Sequence, residues 1–113
     1  MKIIDTAISL DELKSMAQRG FGDLVKAVVD VEREIMAVDG ELHADEEALL
    51  LENESSQKNL WGINIYPVMA GPEWIEFDSI INIRPSQSNR SRGVDDPALR
   101  AKILNVVESR VKR

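Results

Sequence analysis

Two segments in the middle of the chain, residues 60–66 and 74–84, alternate apolar and polar side chains and are joined by a stretch containing Gly71-Pro72. Period-two alternation around a Gly-Pro break is the pattern of a strand hairpin, and here the two halves constrain each other. Setting Tyr66 opposite Trp74 places Asn64 opposite Glu76, Gly62 opposite Asp78 and Leu60 opposite Ile80. The same register sets Trp61, Ile63 and Ile65 against Ser79, Phe77 and Ile75 on the other face. A slip of one residue would mix the two faces. The chain is therefore expected to build a sheet with one apolar face that helices must cover.

The helices announce themselves at their ends. Ser9 and Glu12 form a capping box, with Ile8 and Leu13 at the positions of a hydrophobic staple, and Gly20 is a stop, so a helix is expected over 10–19. Asp96-Pro97 is a cap followed by proline at the first helical position. Leu99, Ile103, Val106, Val107 and Val111 then form one stripe, predicting a helix over 97–112.

Residues 23–38 carry two patterns. Leu24, Val28, Val31, Ile35 and Val38 recur at helical spacing, with Asp23 as cap and Gly40 as stop. Val25, Ala27, Val29 and Val31 alternate like a strand, with Asp39-Gly40 as a hairpin turn. Alternation breaks at Arg33 while the stripe runs on, so a helix is expected. Residues 41–51 are expected as a strand, the alternative being a short helix capped by Asp45; residues 2–5 are expected as an edge strand. The sum is a single α+β domain over 1–113, a largely antiparallel sheet with three helices on one face.

Composition limits the chemistry. A chain of 113 residues and 12.7 kDa is one domain, and with aromatics at 4% its core must rest on Ile, Leu and Val. Cysteine is absent and histidine occurs once, which removes disulfides, thiol catalysis and any Cys-based or multi-histidine metal site within one subunit. No apolar run approaches the roughly 20 residues that span a bilayer, and the N-terminus lacks the blocks of a signal peptide, so a cytoplasmic protein without a membrane partner is expected. The Walker, nucleophile-elbow, His-Glu-x-x-His and EF-hand patterns are all missing, and Gly20-Phe21-Gly22 lacks the third glycine of a dinucleotide fingerprint. No particular cofactor or metal is indicated.

Charge is uneven. Residues 1–83 carry 17 acidic and 6 basic side chains, whereas residues 84–113 carry 3 and 8. The net charge of −6 argues against nucleic-acid binding, while the basic end can hold an anion or meet an acidic surface of another copy. Arg110, Lys112 and Arg113 are assigned to the C-terminal dipole of the last helix.

Four sets of residues are candidates for function. Residues 84–93 place Arg84, Arg90 and Arg92 among Ser86, Ser88 and Asn89, groups suited to phosphate or carboxylate oxygens. The leading expectation is thus a small phosphate-bearing ligand at this loop, against the plainer one of a solvated loop paired with the acidic body. His43 stands in Glu41-Leu42-His43-Ala44-Asp45. A hydrolase or transferase would use His43 as general base with Asp45 or Glu32 orienting it, against a hydrogen-bonded structural histidine. Glu32 falls either inside the apolar stripe, needing His43 or Arg84 as partner, or at its edge in water. The polar hairpin face, Asn64, Glu76, Asp78, Asn82 and Arg84, is either a pocket wall or a wet sheet face. The third expectation is a non-catalytic homodimer through the sheet edge and Trp74.

The segment from Gly40 to Leu51, the run Leu60-Trp61-Gly62-Ile63-Asn64-Ile65-Tyr66-Pro67, and Ile81-Asn82-Ile83-Arg84-Pro85-Ser86-Gln87 with Asn89-Arg90-Ser91-Arg92 together resemble a family of small uncharacterised bacterial and archaeal proteins. The family is a domain of unknown function. The resemblance implies a stand-alone prokaryotic protein and carries no activity or catalytic residue.

Overall fold

The computed structural model describes all 113 residues. The chain runs β1 (Lys2–Ile4), β2 (Ile8–Ser9), α1 (Leu10–Arg19), β3 (Val25–Asp30), β4 (Ile35–Val38), α2 (His43–Glu52), β5 (Leu60–Ile65), β6 (Ile75–Glu76), α3 (Pro97–Arg110) and β7 (Val111–Lys112). Five strands form one sheet in the order β1-β4-β3-β5-β6 with every neighbour antiparallel, and β2 pairs with β7 in a small parallel ribbon. The α+β class and the largely antiparallel sheet are as expected.

Both end helices form where their caps predict. Ser9 Oγ accepts from the Glu12 N–H at 3.0 Å, and Asp96 Oδ1 accepts from the Ala98 N–H at 2.9 Å. β1 is an edge strand, and Asn64 faces Glu76 as the hairpin register requires.

Residues 23–38 are the first correction: they are not a helix but the β3–β4 hairpin. Asp30 makes the turn. It is fully buried, its Oδ1 accepts from the Glu32 and Arg33 N–H groups at 3.0 and 2.9 Å, and its Oδ2 accepts from Ser55 Oγ at 2.6 Å. The helical spacing has a physical origin. Ala27, Val29, Met36 and Val38 face α1 and α3, while Val28, Ile35 and Ala37 face Leu50 of α2. Strands covered on both sides carry apolar residues at consecutive positions, from which a 4-3-4-3 stripe can be picked without a helix.

Residues 41–51 are the second correction, since His43–Glu52 is α2 and begins two residues before the Asp45 cap considered in the alternative. The two corrections are linked. A sheet apolar on both faces needs a cover on each, so the helices divide: α1 and α3 lie on one face and α2 on the other.

The third correction concerns residues 77–84. Strand pairing stops at Glu76, and Ile80–Asn82 form a 3₁₀ turn with Ser79 Oγ accepting from the Ile81 N–H. The edge of β5 is satisfied by a side chain instead. Asn82 Oδ1 accepts from the Gly62 N–H at 2.8 Å, and its Nδ2 donates to the Gly62 carbonyl at 3.0 Å. Gly62 lies against Ser79 rather than Asp78; a Cβ at Gly62 would stand 2.6 Å from that of Ser79.

Candidate functional site

The loop over 84–93 straddles the edge of β5 and is built from the inside. Arg84, whose side chain is 10% exposed, is spent on the fold: its guanidinium donates to the carbonyls of Ile81, Gln57 and Leu60, lies 3.9 Å from Glu47 and stacks 4.5 Å from the Trp61 ring. Asn89 is buried too. Its Nδ2 donates to the carbonyls of Asn82 and Gly93 at 2.7 and 2.8 Å, and its Oδ1 accepts from the Asp95 N–H at 2.8 Å. Arg92 is exposed and pairs with Asp78 at 2.6 Å. Of the six side chains expected to hold a ligand, Ser86, Ser88 and Arg90 are left exposed without a side-chain partner, and Ser88 sits in the left-handed region at φ 60°.

On the α3 side of this loop lies a cleft of about 360 Å³. Gln87, Ser88 and Asn89 form one wall, Lys58 and Asn59 a second, and Asp96, Leu99 and Lys102 of the α3 end a third, with Trp61 and Val31 below. Lys58 and Lys102 have no carboxylate within 4.0 Å. Of the two carboxylates here, Asp96 is held by its cap bond to Ala98, and Glu32 is exposed in the β3–β4 turn with no side-chain partner. Glu32 therefore belongs to this cleft.

His43 is on the other face of the sheet. It is the first residue of α2, is buried, and its Nε2 lies 2.8 Å from the Ile63 carbonyl. A carbonyl can only accept, so Nε2 carries the proton and Nδ1 keeps its lone pair. Burial pulls the imidazole below its ordinary 6.5 against that hydrogen bond, with Lys26 and Arg92 adding to the effect and Asp78 opposing it. His43 and the far side of the arginine loop thus share one electrostatic neighbourhood. Asp45 and Glu32 do not join it: Asp45 is exposed in the first turn of α2, and Glu32 lies beyond the far end of β3.

The polar hairpin face is half-covered. Lys26, Asn64 and Glu76 stand in a row across β3, β5 and β6, with Asn64 Nδ2 donating to Glu76 at 2.8 Å and Tyr66 Oη to the same oxygen at 3.2 Å. Asn64 Oδ1 is buried without a hydrogen-bond partner, as are Glu46 Oε1 and Glu47 Oε2, the last of these facing Arg84 at 3.9 Å. Trp74 is buried and capped by the guanidinium of Arg113 at 4.5 Å, which takes it out of the surface expected to self-associate.

Three groups with the most to say were not singled out in the sequence. Lys58 and Lys102 look like any solvated lysines until the fold brings them to one cleft. Glu46 is fully buried, and loss of solvent pushes its carboxyl up to about 9, against the Gly40 N–H and Lys26, which favour the anion. Its one signal was an acidic residue at helical spacing from Leu50.

The model of the family described as "Protein of unknown function (DUF5674)" matches residues 2–110. No curated protein and no solved structure matches.

Proposed function

The chain belongs to that family of unknown function, so its activity must be read from its own residues, and we propose that it binds a small phosphate-bearing ligand in the cleft beside the 84–93 loop. The observation that carries this is the pair Lys58 and Lys102, which flank one cleft with no carboxylate partner. The arginines serve it indirectly. Arg84 and Asn89 hold the loop in one shape from below, and a wall fixed before binding loses little ordering entropy when a ligand arrives. Ser88 offers an exposed hydroxyl donor on the loop wall, Arg90 follows two residues later as an exposed cation outside the lining, and Glu32 is free to accept from a hydroxyl or amine on the same ligand. The ligand class is therefore a hydroxylated phosphate monoester rather than a nucleic acid, for which the net charge of −6 is unsuited.

The test is thermal shift of the purified protein with inorganic phosphate and glycerol phosphate. Saturable stabilisation, about 2.7 kcal/mol at a hundredfold excess over Kd, should appear with glycerol phosphate, weaken with phosphate alone and vanish in Lys58→Ala/Lys102→Ala. A flat response, or an unchanged one in the double variant, removes the proposal. A second reading, turnover with His43 as general base, draws on the free Nδ1 lone pair of a fixed tautomer. It requires that His43→Gln fold normally and lose all hydrolysis of a test phosphoester.

A further inference from the structure

A second concavity lies apart from the 84–93 loop and shares Lys26 with the polar hairpin face. It is a cleft of about 600 Å³ at the end of the sheet where the last turn of α1, the start of β3 and the link from β4 to α2 come together. That volume lies in the range of small-molecule sites. Its apolar walls are Met16, Phe21, Leu24, Val25 and Leu42, of which Phe21 and Leu42 stand 49% and 56% exposed at the rim.

The polar groups in it are unequal. Arg19 and Asp39 face each other at 3.9 Å, and Glu41 is exposed to water. Lys26 is half-buried on β3, its ammonium 5.0 Å from the Phe21 ring centroid, with no carboxylate within 4.0 Å and no hydrogen-bond acceptor. Glu46 is sealed behind Gly40, where a Cβ would stand 2.7 Å from the Glu46 Cγ. The cleft also meets the start of α2, where Leu42 occupies the cap position and offers no side-chain oxygen. A half-buried cation without an anion, at one end of an apolar trough, is an incomplete arrangement.

We propose that this cleft is a binding site for a small carboxylate with an apolar tail, its head on Lys26 and its tail along Phe21, Leu24 and Leu42. Neither part suffices alone. The head would gain a charge-assisted contact that the fold leaves open, and the tail would cover the two most exposed apolar side chains of the rim. The site is separate from the loop cleft, so either can fail without the other.

The experiment is a titration of uniformly ¹⁵N-labelled protein with octanoate, followed by amide shifts, with octanol and acetate as tail-only and head-only controls. Saturable shifts are expected at residues 20–26 and 39–43, with octanol and acetate each at least tenfold weaker. Lys26→Met should lower octanoate affinity at least tenfold and bring octanol level with it; Phe21→Ser, at an exposed position that leaves folding intact, should weaken octanoate severalfold. Absence of saturable shifts, shifts mapping elsewhere, octanol binding as tightly as octanoate to the unaltered protein, or a full response retained in folded Lys26→Met or in Phe21→Ser would each overturn the proposal.

Discussion

Replacing Glu46 by glutamine should make the protein more stable at neutral pH, although it removes a hydrogen-bonded, fully buried carboxyl. Glu46 ionises at about 4.5 in an unfolded chain and about 9 in the fold, because burial opposes its charge. Between those values the native state holds a proton that the unfolded state has released. Stability therefore falls as pH rises, by about 1.4 kcal/mol per unit, and levels off above pH 9. At pH 7 the gap of about 2.5 units costs about 3 kcal/mol, a large share of the 5–15 kcal/mol typical of a domain. Glutamine keeps the shape and can still accept from the Gly40 N–H, now 2.9 Å from Oε2, but it has nothing to ionise. Its amide leaves two buried N–H donors without an acceptor where the carboxylic acid leaves one O–H at Oε1, a cost that subtracts from the gain at every pH alike. Urea unfolding of both proteins from pH 4 to 9 measures the difference, to which His43 contributes equally in each. The expected gain from Glu46→Gln is near zero at pH 4, on the order of 3 kcal/mol at pH 7 and larger at pH 9. A difference that does not change with pH, or a glutamine variant less stable at pH 7, would show that Glu46 is ionised in the fold and the reasoning wrong.

Other substitutions separate the roles of the polar residues. Arg84→Lys loses the planar fork that serves three carbonyls and should cost about 2–3 kcal/mol in denaturant unfolding, and it should weaken glycerol phosphate binding by the folded protein, because the loop wall is no longer held in one shape before the ligand arrives. Asn82→Leu strips both partners from Gly62 on the β5 edge and should cost about 2–4 kcal/mol, with amide exchange at Gly62 rising sharply. Gly62→Ala should cost about 1–3 kcal/mol through its clash with Ser79, and Ser79→Gly in the same chain should recover part of that by unfolding titration. His43, lowered by burial, binds its proton more weakly in the fold than in the unfolded chain. It therefore favours the native state above pH 6.5, a contribution lost as pH falls below 6.5 through the folded pKa; the stability of Glu46→Gln should drop there less steeply once His43→Gln is added.

The parts of the fold legible in the sequence are those fixed by local chemistry. Ser9 with Glu12, and Asp96 with Pro97, predict their helices because a cap satisfies backbone donors within one turn. The Asn64–Glu76 register is legible because each face of that hairpin meets a different environment. What misleads is burial on two sides. β3 and β4 have helices above and below, so their apolar residues lose the alternation that marks a strand, and α2 has apolar residues on a face that meets solvent as well as on the one that meets Val28 and Ala37. The deciding residue for 23–38 is Asp30, whose side chain closes the turn through Ser55, 25 positions away. Local pattern carries no trace of that partner.

The candidate sites were harder to read for a related reason. Composition shows that residues 84–93 are basic and polar, but a basic loop can face a ligand or face its own backbone. The sheet decides between them. β6 ends after two residues, leaving the donors and acceptors of Gly62 and Leu60 at an edge that a longer strand would have paired. Asn82 and Arg84 satisfy those groups, Asn89 then holds the loop that carries them, and each is thereby withdrawn from ligand binding. The chain's buried polar side chains stand in for a missing strand. Among the basic side chains that line the two clefts, Lys58 and Lys102 on one face and Lys26 at the sheet's end are claimed by neither a backbone carbonyl nor a carboxylate, and an anion bound there would stabilise the fold by mass action.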